Sequence, residues 1–399
     1  MFIETPRYTE RFGLVRMNHV QRVISLDSGV KSELPNHSAM GVIKIAEDTI
    51  RYFEQRMAIV VPIKDEKLKL FEGVVSGVPQ DCLVIVVSNS QRKKVDRFKM
   101  ESDALQQLCR FTLRQALIVH QKDPEIAQAL ASAGYNEILD EEGLVRDGKS
   151  EAMILGVIMA KAVEKEYVGF IDADNYFPGS VLEYVRNYAA GFSLTRCPYT
   201  MVRILWRYKP KILGGLYFRK WGRISEVTNK YLNSLISTKT GFETEVVKTG
   251  NAGEHAMTVE LAEIIPYASG YAVEPQELIS LFESYGGILP TEDSRVIDHG
   301  IDVFQIETRN PHLHEERGND HLNRMLLCSL SVVYHSPLCD KKVKREILAE
   351  LVNQRILERG QEPPPVHINP PLRKANLDNL VATIRRNFDK YSVLCQSPI

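Results

Sequence analysis

The chain has 399 residues, 44% of them hydrophobic, enough to bury one large core or two modest ones. Its 50 basic and 51 acidic residues nearly cancel, and no stretch interleaves Lys and Arg with aromatic residues, which argues against a nucleic-acid partner. The longest apolar runs, AIVV at 58–61 and LVIVV at 83–87, fall far short of the roughly 20 residues a bilayer needs, so no membrane span is expected.

The first residues, MFIETPRYTERFG, are charged early and lack a signal-peptide hydrophobic region, which predicts a cytoplasmic protein. Residues 27–50 show little periodicity and read as a loop or variable insertion. From residue 56, short β-branched runs alternate with helical patterns. MAIVVPI precedes a helix near 66–76, LVIVVSN a helix near 101–111, and ALIVHQ a helix near 124–133. This rhythm is the signature of βαβ units and a parallel sheet. GKSEAMILGVIMAKAVEK at 148–165 has helical apolar spacing and leads into the strand of YVGFIDADNY. Beyond it the pattern predicts a helix near 179–190, a strand at 199–206, helices near 225–237, 255–265 and 275–284, and a strand at 301–307. Helical patterns at 319–334, 341–358 and 376–390, interrupted by the proline-rich QEPPPVHINPP, read as a C-terminal helical appendage. The six cysteines, at 82, 109, 197, 328, 339 and 395, form no CxxC pair and read as free thiols.

The chemistry concentrates where strands end. Asp172 and Asp174 are one residue apart just after a buried run, so both carboxylates can point the same way at the carboxyl edge of a sheet. Two hard oxygen donors there suit a divalent cation with positions left for a phosphate-bearing ligand; they equally suit an N-cap and turn ahead of a helix marked by Pro178. Pro62 closes a strand, and Glu66 could accept from a nucleobase N–H or simply favour a helix start. Ser88, in SNS, could bond a base or ribose or belong to an ordinary turn. Gly148 and Lys149 open a helix whose amides and ammonium could hold a diphosphate. His312 and His314 alternate in NPHLHE, where imidazole could complete a carboxylate metal site. Arg223 and Ser225 precede a helix and could grip a phosphate or carboxylate. Glu254, in TGNAGEHAM, could bind sugar hydroxyls or cap a helix.

Taken together these segments resemble the mannosyl-3-phosphoglycerate synthase family. The resemblance rests on RYTERFG at 7–13, HVQRV at 19–23, IVVPIKDEKL, VVSNS, IVHQKDP at 118–124, GKSEAM and YVGFIDADNYFPG. It continues through YAAGF at 188–192, MVRILWRYKPK at 201–211, WGRISE, GNAGEHAM, SGYAVEP at 269–275 and FQIETRNPHLHE. Family members often carry Asn where this chain has Asp65 and Val where it has Ile224. Residues 30–50 and the last forty match poorly.

The resemblance implies an α/β GT-A fold, a Rossmann-like nucleotide-diphospho-sugar transferase with a helical C-terminal appendage. It places a catalytic domain at 1–335, with nucleotide binding near 56–175 and acceptor binding near 176–335, and an extension at 336–399. It implies a retaining transfer of mannose from GDP-mannose to 3-phosphoglycerate, dependent on a divalent metal, most readily Mg2+. The implied catalytic set is Asp172, Asp174, Arg223 and Glu254. Pro62, Glu66, Ser88, Lys149, Asp172 and Glu274 would contact the donor, Arg223 and Ser225 the acceptor, and Asp174 and His314 the metal. A homodimer is compatible with this reading, and neither nucleic acid nor membrane is expected as a partner. The alternatives are a related transferase using another nucleotide sugar, a haloacid-dehalogenase-type phosphatase, or a non-catalytic nucleotide-sugar-binding protein.

Overall fold

The run MAIVVPI becomes the strand Met57–Ile63, buried along nearly its whole length because both faces of its sheet are covered. Its side chains alternate between two cores. Ala58 and Val60 join Ile85, Val87 and Met153 on one side, while Ile59 and Val61 join Val84, Val86 and Phe71 on the other. In this computed structural model the described residues are 1–27, 29, 37–39, 41–175, 177–207, 209–213, 216–220, 222–291, 293–312 and 318–393. Of these, 37–39, 209–213, 216–220 and 223 are described by backbone alone.

The strands Ala116–His120, Leu83–Ser88, Met57–Ile63 and Tyr167–Phe170 lie side by side in that order, all parallel. Next comes His255–Thr258, antiparallel to both Tyr167–Phe170 and Thr200–Leu205. Thr200–Leu205 then pairs in parallel with Ile301–Glu307. The expected α/β architecture with a Rossmann-like half is present, and helices follow it at the C-terminal end.

Two expectations change. Residues 27–50 are not all loop: His37–Ala39 and Val42–Lys44 pair as strands, and Glu47–Gln55 is a helix. Together with Phe2–Glu4 and Gln21–Ser25 they extend the sheet past Ile301–Glu307. The helix expected at 255–265 begins as a strand instead. Its first four residues fill the gap between two strands, and Thr258 then caps the short helix Val259–Ile264 by accepting from Leu261 N at 3.3 Å. Pairing on both sides supplies backbone partners that an isolated helical turn would lack.

The helix Lys149–Ala162 is buried almost all round, as expected of a helix apolar on every face. Gly156 lets it press on the sheet: a Cβ there would lie 2.4 Å from Val60. Its outer side meets the C-terminal helix Leu377–Arg386, whose Leu380, Val381 and Ile384 belong to the same core as Met153 and Val157. Ser392–Val393 then pairs with Ala116–Leu117 and finishes the sheet edge. No disulfide joins the described cysteines, and no described helix is long and apolar enough to cross a membrane.

Candidate active site

The antiparallel strand His255–Thr258 explains how distant residues meet. His255 pairs with Phe170 and also with Arg203, so the residues just before it stand at the carboxyl ends of both neighbours. Glu254 thereby reaches the turn that carries Asp172 and Asp174, at the sheet edge where open α/β folds bind ligands. Above this edge lies a cleft of ≈ 2600 Å³, well beyond the roughly 300–1,000 Å³ that usually serves a single small ligand. It has room for two substrates.

Pro62, Glu66, Lys149, Asp172, Asp174, Ser225 and Glu274 all line this cleft, so the structure brings these expected residues together. Lys149 is the first residue of its helix, and its Nζ lies 2.6 Å from Asp172 Oδ1 and 2.9 Å from Glu274 Oε1. Burial by itself would lower the Lys149 pKa; the carboxylates of Asp172 and Glu274 outweigh it and raise the pKa, so the ammonium keeps its charge. Asp172 is held below its ordinary value: burial pushes it up, and the Lys149 charge and hydrogen bond more than reverse that.

Glu254 behaves in the opposite way. It is fully buried beneath the cleft and does not line it. Burial, then repulsion from Asp172, push its pKa up against the Asn175 hydrogen bond, which favours the protonated acid. Asn175 Nδ2 donates to Glu254 Oε1 at 2.9 Å and to Asp172 O at 3.0 Å, tying the two acids into one unit. His312 Nδ1 lies 3.8 Å from Glu254 Oε1, and its ring stacks on Trp206 with centroids 4.7 Å apart. Gly253 passes so close to Asp172 that a Cβ would lie 2.8 Å from Oδ2.

The structure does not bring Ser88 to the cleft. Its hydroxyl is buried and donates to Glu101 Oε2 at 2.6 Å, while Ser90 donates to Glu101 Oε1 at 2.6 Å. Strand alternation turns Asn89 the other way, onto the cleft wall, where Nδ2 donates to Asp147 Oδ1 at 3.0 Å. Asp65 has φ 55°, a left-handed turn that Asn and Asp tolerate better than most residues. Its N–H donates to Ser90 Oγ at 2.7 Å and its Oδ1 accepts from Gln91 N at 3.1 Å, so it shapes the turn. Arg223 begins the helix Arg223–Thr240, capped by Gly222, whose start faces the cleft through Gly222, Ile224 and Ser225. The Arg223 side chain and all of His314 lie outside the described residues.

Sequence reading missed Asn175, Asn89 and the buried group formed by Arg203, His255 and Glu277. Asn175 directly follows the DxD, and alternation within SNS favoured Asn89; the buried group leaves no local signal because its members come from three separate elements.

Among the described residues, no three His, Cys, Asp or Glu side chains are arranged to hold a metal ion. The donor set does fit a cation. Asp172 and Asp174 share one turn, and the charge of each adds to the burial that raises Glu254, so both would favour a cation beside them.

A mixed α/β sheet with an acidic rim, partly neutralised by Lys149, under a cleft with room for two substrates suits a glycosyltransferase. Residues 5–384 match the family model described as mannosyl-3-phosphoglycerate synthase, and the chain belongs to that family. The match runs through residues 30–50 and well into the last forty, where the motif resemblance is poor. A mannosyl-3-phosphoglycerate synthase of Pyrococcus furiosus is 45% identical over 98% of both chains. One from Aeropyrum pernix is 39% identical over 91% of this chain and 92% of its own. Among solved structures, glucosyl-3-phosphoglycerate synthase from Mycobacterium tuberculosis in complex with phosphoglyceric acid gives a TM-score of 0.49 at 20% identity. That likeness covers 88% of this chain and 99% of that one.

Proposed function

We propose that the protein transfers mannose from GDP-mannose to the 2-hydroxyl of 3-phosphoglycerate with retention, yielding mannosyl-3-phosphoglycerate and GDP in the cytoplasm. The observation that carries this reading is the meeting of Lys149, Asp172, Asp174 and Glu274 on one cleft rim in a chain that matches the family from residue 5 to 384. Pro62, Glu66 and Asn89 form the wall for the nucleoside. Lys149 is placed to exchange part of its pairing with Asp172 for a diphosphate oxygen, as a charged donor at a helix start. Glu274 faces the transferred sugar, with Glu254 behind it. Across the cleft, Arg223, Ser225 and the free amides of their helix start orient the glycerate carboxylate and phosphate.

Asp174 and His314 would hold a divalent metal, magnesium in this reading, beside Asp172. When bound, such an ion neutralises charge on the diphosphate leaving group. The bond between the anomeric carbon and the β-phosphate oxygen breaks, the bond to the acceptor 2-oxygen forms on the same face, and the hydroxyl proton passes to a departing phosphate oxygen. Incubation with a panel of nucleotide sugars, 3-phosphoglycerate and Mg2+ or Mn2+, followed by mass and linkage analysis, tests the reading. An α-mannosyl product made only from GDP-mannose is expected. Phosphate release without glycosyl transfer, or nucleotide-sugar binding without turnover, would count against it.

A further inference from the structure

Three fully buried charged or ionisable side chains lie behind the rim without touching the cleft: Arg203, Glu277 and His255. Arg203 Nη1 pairs with Glu277 Oε2 at 2.7 Å, and His255 Nε2 meets Glu277 Oε1 at 2.9 Å. Arg203 Nη1 also reaches Met201 Sδ at 3.4 Å, and the other hydrogen bonds go to backbone carbonyls. Arg203 Nε donates to Thr249 O at 3.0 Å, its Nη2 to Gly250 O at 3.4 Å and to Glu274 O at 2.9 Å, and His255 Nδ1 faces Ala252 O at 2.9 Å.

A buried ion pair contributes little net stability, because desolvation cancels much of the attraction. What this one does contribute is aim. Its carbonyl partners lie on the loop leading to Glu254 and on the first turn of the helix Val273–Tyr285 that carries Glu274. The planar fork of arginine can hold both segments at once, which the point charge of lysine cannot. On the cleft side the same loop is pinned by Gly253 against Asp172 and by Ile204 N donating to Glu254 O at 3.2 Å.

We propose that Arg203, with Glu277 and His255, is the positioning group that sets Glu254 and Glu274 relative to Asp172, and so governs the transfer step rather than nucleotide binding. This rests on the transferase reading above. The test is the double substitution Arg203→Met with Glu277→Gln, which removes both charges and leaves no carboxylate stranded. In the folded variant, kcat should fall by about 10- to 100-fold, the cost of roughly an ångström of misplacement. GDP affinity in the presence of Mn2+ should fall much less than kcat, since the nucleoside wall is untouched. Amide exchange over residues 249–254 should speed up while Met57–Ile63 stays protected.

A kcat within about threefold of the parent, or GDP affinity falling in step with kcat, overturns the proposal. Should the double variant not fold, His255→Gln is read by the same criteria, and wild-type turnover there overturns it equally. If the parent makes no mannosyl product the transferase reading fails, and the exchange measurement still decides the bracing, because it needs no substrate.

Discussion

Lys149 and Asp172, 23 residues apart in the chain, form an ion pair with Nζ 2.6 Å from Oδ1. The lysine sits at a helix start, where the macrodipole disfavours a cation, and two carboxylates compensate. Lys149→Ala should leave Asp172 and Glu274 repelling each other and remove the charge proposed to meet the diphosphate. We expect kcat/KM to drop by about 10²- to 10³-fold with the fold intact, as for loss of one charge-stabilising donor. Steady-state kinetics alongside circular dichroism checks this, and near-parental kinetics would remove Lys149 from the donor site.

Asp174→Ala should abolish turnover with little change in melting temperature, because its carboxylate lies on the cleft wall outside both apolar cores. Chelation of divalent ions should reproduce the loss in the parent enzyme. Normal transfer by Asp174→Ala under saturating metal would dismiss it as a ligand.

Arg223→Ala should chiefly weaken the acceptor. A lost charged hydrogen-bonding contact is worth about 1.5–3 kcal/mol, or roughly 10- to 100-fold in affinity. Titration of 3-phosphoglycerate into the GDP-bound protein measures it, with an unchanged affinity ruling out the role.

Gly253→Ala should place a methyl group 2.8 Å from Asp172 Oδ2. Something must shift, at a cost of about 1–3 kcal/mol as in other overpacked sites. Activity should suffer more than stability, because the carboxylate that moves belongs to the rim. Comparing thermal unfolding with kcat for this one variant gives the answer.

A pH effect is expected far from the cleft. Glu54 is buried on the helix Glu47–Gln55, and among the described residues its Oε1 has no hydrogen-bond partner. Burial raises its pKa from 4.5 to about 7. For an acid raised in the folded state, ionisation favours unfolding, so stability is lost as pH climbs from about 4.5 to about 7 and then levels off. Glu54→Gln should remove this slope and gain about 1–3 kcal/mol at pH 8, an order-of-magnitude value from the size of the shift. Urea midpoints for both proteins at pH 5 and pH 8 decide, and equal differences at the two pH values would refute it.

The parallel half was legible because its strands are continuous β-branched runs with helices between them, a pattern that allows few alternatives. The strand His255–Thr258 was not, since HAM reads equally well as a helical turn and only its two neighbours make it a strand. Among the site residues, Lys149 and Asp172 could be found from strand ends and helix starts. Ser88 turns away from the cleft, because strand alternation within SNS pairs Ser88 with Ser90 on Glu101 and sends Asn89 to the opposite face. Arg203 and Glu277 lie 74 residues apart and have no local signature.

The pairing of Ser392–Val393 with Ala116–Leu117 carries a consequence for biosynthesis. Until residues 392–393 leave the ribosome, Ala116–His120 presents an open, apolar edge, which is the kind of surface through which nascent chains join one another. A chain halted before residue 392 would already hold every rim residue of the cleft and still be sticky along its far side. Solubility and catalytic competence are therefore completed at different points along the same polypeptide.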